Sequence, residues 1–239
     1  MNGKAIIKFL VVIAAIIGLF AYFIQPLAGS LKQGLDLQGG THIVLEAEDS
    51  ATGTADNDAV ERAKQILERR INEMGLSEPL VQREGARRII IELPGVKDPD
   101  EAIKRIGKTA VLEFKNDQGQ TVMTGDDLKD AKEELGQNKQ PLVAIELSDE
   151  GAKKFADLTS KNIGRRIAIT LDGKELTNPV VQQAITGGKA TISGSQSLEE
   201  AKDLAILLRS GALPVKINVL EVRTVGPSLG QDSKDKSVV

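Results

Sequence analysis

The sequence predicts an α+β protein: one N-terminal transmembrane helix, then a ferredoxin-like βαββαβ base lobe that carries an inserted α+β head lobe. Three observations carry this reading. From Ala5 to Ile24 the chain is apolar apart from Lys8, a run of roughly 20 residues that spans about 30 Å as a helix. Between Gly40 and Lys115 the apolar residues recur with the periods of strand, helix, strand, strand, helix and strand, in that order, which is the split βαβ pattern. A second α/β stretch follows, and then a Val- and Ile-rich strand, Val215 to Val225, placed to return to the first lobe. The expected division is residues 1–26 as anchor, 27–116 with 213–230 as base, 117–212 as head, and 231–239 as a disordered or truncated tail.

Lys4 and Lys8 flank the start of the apolar run, Tyr22 and Phe23 lie at its far end, and Gln25-Pro26 stops the helix. Positive charge at the N-terminal flank places that end in the cytoplasm and everything after Pro26 outside the plasma (inner) membrane. A cleaved signal peptide is the competing reading, but the apolar region is long and no Ala-x-Ala precedes Leu31. The run is read as an uncleaved signal-anchor in the lipid membrane.

The base opens with Gly34, Gly39 and Gly40, which serve positive φ or close backbone approach. Ile43, Leu45 and Ala47 then alternate with His42, Glu46 and Glu48, as in a half-buried strand. Val60, Ala63, Leu67, Ile71 and Met74 recur at helical spacing from about Asp56, with Glu61, Lys64, Glu68 and Arg69 on the other side. Strands at Leu80–Glu84 and Arg87–Leu93 form a hairpin through Gly85. Asp98-Pro99 starts a short helix ending at Gly107, and a strand at Thr109–Lys115 completes the run.

In the head, Leu128, Ala131 and Leu135 predict a helix from Thr124 to Gly136. A strand with Val143, Ile145 and Leu147 follows, then a Ser148-capped helix through Phe155 and Leu158. A strand at Ile167–Leu171 is closed by an Asp172-Gly173 turn. Strands are expected at Val180–Ala184 and Ala190–Ser193. Ser197-Leu198-Glu199-Glu200 is a capping box opening a helix that ends at Gly211 and Pro214. The inward phase of the last strand slips near Leu220, which predicts a bulge.

Composition narrows the functions. Lysine and arginine total 31 against 34 acids, and aromatics are 3% with no Trp, so no nucleic-acid partner is expected. There is no cysteine and one histidine, His42, which removes thiolate sites, two-His metal sites and a conventional triad. Asp98 with Asp100, and Asp126 with Asp127, sit at expected helix starts, where capping explains them. No catalytic residue, metal or cofactor is expected.

Several strings resemble one family. Leu35-Asp36-Leu37-Gln38-Gly39-Gly40-Thr41 closely resembles the glycine–glycine motif of the SecD/SecF family, auxiliary membrane subunits of the bacterial Sec protein translocase. Gly107 through Phe114, Arg165 through Gly173, Ile185 through Gly188, Glu199 through Pro214 and Thr224 through Ser233 are similar to the same family. The resemblance covers most of the chain after residue 34 and implies membership of the resistance–nodulation–division superfamily. It implies SecF, the Sec channel and unfolded exported polypeptides as partners, and proton-motive force as the energy source. The head would capture emerging polypeptide and the base would relay movement from the membrane. Asp36, Gly39, Gly40 and Thr41 are motif residues expected to set the base against membrane helices, with Gly226 and Pro227 in the closing string. In the family further membrane helices follow, and the tail from Lys234 to Val239 is too polar and short to be one. A single-span binding scaffold is the alternative function.

The chain is expected to leave the base near Asn116 and Gly119 and to return through Ser210, Gly211 and Pro214. These five are the hinge candidates, because short Gly- or Pro-containing segments absorb a rotation in few backbone angles.

Overall fold

A computed structural model describes residues 39–49, 53–76, 79–96 and 98–226, with Ile13 and Leu35 besides. The expected anchor, Asp36, Pro227 and the tail lie outside the described residues. Among the described residues no helix is long and apolar enough to cross a membrane. What is described is a mixed α+β structure whose strands form three antiparallel sheets.

The first sheet holds β1 (Gly40–Glu48), β2 (Leu80–Glu84), β3 (Arg88–Pro94) and β11 (Lys216–Val225), in the order β11-β1-β3-β2. Ile43, Leu45 and Ala47 of β1 are buried and their neighbours are not, the period-2 pattern of a strand with one face on a core. Helix α1 (Asn57–Glu73) lays Ala59, Val60, Ala63, Leu67 and Ile71 on that core. Its N-cap Asp56 accepts from the Ala59 amide at 2.7 Å. Helix α2 (Pro99–Ile106) is capped by Asp98, which accepts from the Glu101 amide at 3.1 Å. Against β11, the register of β1 slips between Val44 and Leu45, whose partners are Glu221 and Val219, so Leu220 is the extra residue of a bulge.

The second sheet has β6 (Leu128–Leu135), β7 (Pro141–Leu147) and β10 (Lys189–Ser193), in the order β10-β7-β6. The third has β4 (Leu112–Lys115), β5 (Thr121–Thr124), β8 (Ala168–Leu171) and β9 (Lys174–Thr177), in the order β5-β4-β8-β9. Helices α3 (Asp149–Lys161) and α4 (Leu198–Ser210) complete this part, each capped by a serine hydroxyl as expected, Ser148 and Ser197.

Three elements differ from expectation. The strand expected at Thr109–Lys115 forms only over Leu112–Lys115 and joins the third sheet, pairing with β5 and β8. The place beside β1 is taken by β11. A partner distant in sequence holds the turn: the Asp172 carboxylate accepts from the amides of Ala110 at 3.1 Å and Val111 at 3.0 Å, and Ala110 turns at φ 61°. The helix expected from Thr124 to Gly136 is a 3-10 turn, Gly125–Asp127, followed by β6. Lys, Glu and Ala are good helix formers, but propensity yields to tertiary context, and the seven-residue strand β7, joined by a turn over Gly136–Gln140, provides a ladder instead. Leu135, expected inward, is 58% exposed. No strand forms at Val180–Ala184, where Val180 and Val181 make isolated bridges to Arg166 and Ile163.

Buried apolar residues fall in two clusters. One joins the first sheet, α1 and α2, and includes Leu213 and Val215. The other joins the second and third sheets with α3 and α4, and begins at Ala110. At its centre Phe114 meets Phe155 edge-on, with ring centroids 6.0 Å apart. Phe114→Ala is expected to lower stability by about 3–5 kcal/mol, read as a fall in the urea midpoint followed by circular dichroism.

Candidate functional site at the crossing between the two cores

Two arrangements stand out, one at the end of the first sheet and one where the chain passes between cores. In the first, Gly39 has φ 67° and Gly40 φ 148°. A Cβ on Gly40 would collide with the Leu93 carbonyl oxygen, lie 2.6 Å from Leu35 Cδ2 and 2.9 Å from Pro94 Cα. Only glycine fits. The Gly39 amide donates to Leu35 O at 2.8 Å, and Gly39 O accepts from the Gly95 amide at 3.0 Å. The fully buried Thr41 donates its hydroxyl to Val96 O at 3.0 Å. The motif thus clamps the turn between β3 and α2. Gly40 pairs with Val225 on one side and Pro94 on the other, so Gly226 arrives at the same end of the sheet. Every contact described there is internal to the fold.

The second arrangement centres on Arg70, 1% exposed on the inner face of α1. Its guanidinium donates from Nη1 to Ile106 O at 2.7 Å and to Lys108 O, and from Nη2 to Gly211 O at 2.8 Å and Thr109 O at 3.5 Å. Its Nε donates to Ser210 Oγ at 3.1 Å. Every partner lies where the chain leaves the first core or returns to it, and the Leu213 amide ties the two segments by donating to Thr109 O at 2.9 Å. Burial pulls the Arg70 pKa down to about 10, opposed by the charge of Asp172. The group therefore stays a cation at neutral pH, solvated by neutral oxygens in place of water.

Two more arginines span the cores. Arg209 of α4 donates to Glu73 Oε2 of α1 from Nε at 3.0 Å and Nη2 at 2.7 Å, and from Nη1 to Ala131 O at 2.7 Å. Arg105 of α2 donates to Asp203 of α4, from Nε at 3.1 Å and also from Nη2.

The hinge candidates separate. Asn116 and Gly119 form the β4–β5 turn, with amides donating to Gln120 O and Asn116 O, both at 3.0 Å, inside one sheet. The outgoing crossing lies upstream, over Gly107–Val111. Ser210, Gly211 and Pro214 do lie on the returning crossing, and Gly211 has φ 90°. Arg70 escaped the sequence reading although its signal was visible: it follows Leu67 by three positions, on the apolar arc of the helix.

A groove of about 780 Å³ opens in the second core. Ala131, Ile145, Phe155, Ile169, Val181 and Ala190 are among its lining residues. Among the described residues no group of three His, Asp or Glu is placed to hold a metal ion.

The chain that builds these two α+β cores, with their doubly crossed junction and the sterically closed Gly40, is of the class of the SecDF P1 domain. The chain matches the family models for the SecD/SecF GG motif over residues 31–51, the N-terminal part of the P1 domain of protein translocase subunit SecDF over 60–119, and the SecDF P1 head subdomain over 103–215. It belongs to the SecD family of protein translocase subunits. The protein translocase subunit SecD of Acidaminococcus fermentans is 58% identical over all of this chain and 57% of its own length. A crystal structure of SecDF in a super-membrane-facing form superposes with a TM-score of 0.74 at 41% identity, covering 87% of this chain and 33% of that one. A structure described as a membrane component SecDF that enhances protein export gives 0.69 at 40% identity, covering 76% and 99%. The chain spans about half the length of the curated relatives it matches. The head model begins at residue 103, close to the outgoing crossing.

Gly40→Ala is expected to destabilise the protein far more than Gly119→Ala. At Gly119 an added methyl meets nothing within 4 Å, leaving only the positive-φ penalty of about 1 kcal/mol. Paired urea titrations of the two variants measure the difference.

Proposed function

We propose that this chain is the extracytoplasmic, substrate-handling part of a Sec translocase accessory subunit that helps exported polypeptides leave the channel, driven by the proton-motive force. The observation that carries the reading is the 58% identity to a SecD subunit along the whole chain. On this reading SecF and the Sec channel are its partners, and the proton path lies in membrane helices outside this chain. The first core is the base, a ferredoxin-like βαββαβ unit; the strand order β11-β1-β3-β2 supports this, with β11 as its closing strand. The second core, from about residue 109 to 212, is the head. Gly39, Gly40, Thr41 and Gly226 brace the end of the base that faces the membrane on this reading, and base and head turn as separate bodies.

The head groove is the surface offered to emerging polypeptide. Its apolar floor suits segments normally buried in a folded protein, its charged lining residues Asp130, Lys132, Glu134, Glu146 and Lys189 lie on β6, β7 and β10, and it is bordered by both outer strands of the second sheet, β6 and β10. A photo-crosslinking residue in place of Thr191 or Gln183, both exposed at the groove, should form adducts with an export-arrested precursor in membranes of the complete subunit. The same residue in place of the exposed Arg62 of α1 should not. Equal yields at both places would defeat the reading.

The N-terminus is cytoplasmic and the two cores are extracytoplasmic. Glu150, exposed at the start of α3, tests this as Glu150→Cys in a chain with no other cysteine. A membrane-impermeant thiol reagent should label it with the inner membrane intact; labelling only after lysis would reverse the topology.

A further inference from the structure

The charges that join the two cores are of two physical kinds. Arg70 is buried, and the hydrogen bonds of its guanidinium go to neutral oxygens of the two crossing segments, Ile106–Thr109 and Ser210–Gly211. Arg105–Asp203 and Arg209–Glu73 are ion pairs between helices on opposite sides of the crossing. Their side chains are 24% and 24%, and 30% and 23%, exposed. In a rotation, groups near the axis keep their contacts and groups away from it lose them. Buried bonds to neutral oxygens resist both water and salt, whereas partly exposed ion pairs are weak and screened.

Backbone geometry marks the same place. Ala110 on the outgoing segment holds φ 61° and Gly211 on the returning one holds φ 90°. For alanine that conformation is strained, and it persists because the Asp172 carboxylate of the second core accepts the Ala110 and Val111 amides. Arg70 grips this segment from the first core and Asp172 from the second, on adjacent residues.

We propose that Arg70 is the pin about which the two cores turn, and that Arg209–Glu73 and Arg105–Asp203 are latches that hold the orientation described here. This rests on the reading that base and head move as separate bodies, and adds which contacts persist and which open. Arg70 is a positioning residue: it touches no substrate and sets where the crossing segments sit.

The test is a distance measurement by paired spin labels at Glu68→Cys on α1 and Lys153→Cys on α3, both exposed positions, in the full chain in lipid nanodiscs. The parent should give one narrow distance peak. Glu73→Gln with Asp203→Asn should move at least a third of the molecules to a second, discrete distance, and high salt should act on the parent in the same direction. Arg70→Lys, which keeps the charge but loses the fork, should broaden the distribution at least twofold without a discrete second peak. Ser210→Ala removes a single acceptor and should broaden it less, which covers the case of Arg70→Lys failing to fold. A merely structural Arg70 would lower the unfolding midpoint and leave the distances unchanged in both variants, which overturns the pin. An unchanged distribution in the latch variant, with or without salt, overturns the latches. The readout needs neither substrate nor proton gradient, so its failure leaves the export reading standing, while absent groove adducts with normal distances would fail that reading alone.

Discussion

The structure depends on keeping one charged guanidinium out of water. Arg70 shares the buried face of α1 with Leu67 and Ile71, where an unpartnered cation would be untenable. Backbone carbonyls cure this only if the chain brings several to one point, and the double crossing does so. Ile106 and Lys108 arrive at the end of α2, Thr109 on the way out, and Ser210 and Gly211 at the end of α4. The two cores are therefore joined at a place where helix ends supply their free carbonyls. A residue that looks like a defect in an apolar face is what registers one core on the other.

The glycine motif is organised by a different constraint, that of clearance. Gly40 lies too close to Leu93, Pro94 and Leu35 for any side chain, and Thr41 spends its hydroxyl on Val96. Both features close the end of the first sheet around the β3–α2 turn. That turn leads into α2, whose C-terminal carbonyl is held by Arg70. The motif end and the crossing are thus joined through α2.

Much of this was legible in the residues. The caps at Asp98, Ser148 and Ser197 announced their helices, and the Leu220 phase slip announced the bulge. What escaped depended on partners distant in sequence. The strand after Gly107 reads as a base strand from its own alternation, but Asp172, sixty-two positions from Ala110, turns it into the other core. Asn116 and Gly119 read as a break between lobes because turns and hinges use the same residues. Arg70 needed five oxygens from two remote segments before its burial made sense. Local chemistry fixes caps and turns; which sheet a strand joins is decided by what waits for it.

The β6 strand carries a consequence of its own. Five of its eight residues, Lys129, Asp130, Lys132, Glu133 and Glu134, are charged, which is why it resembles a solvated helix. It is also an outer strand of its sheet, with no strand beside it on the side away from β7 among the described residues, although its Ala131 carbonyl accepts from Arg209 of α4. An open row is a template that any extended chain can copy onto itself, and charged side chains are the usual deterrent. On the reading proposed above this domain meets extended chains continually. The composition that disguises β6 as a helix would then keep it from being extended, strand upon strand, by its own cargo.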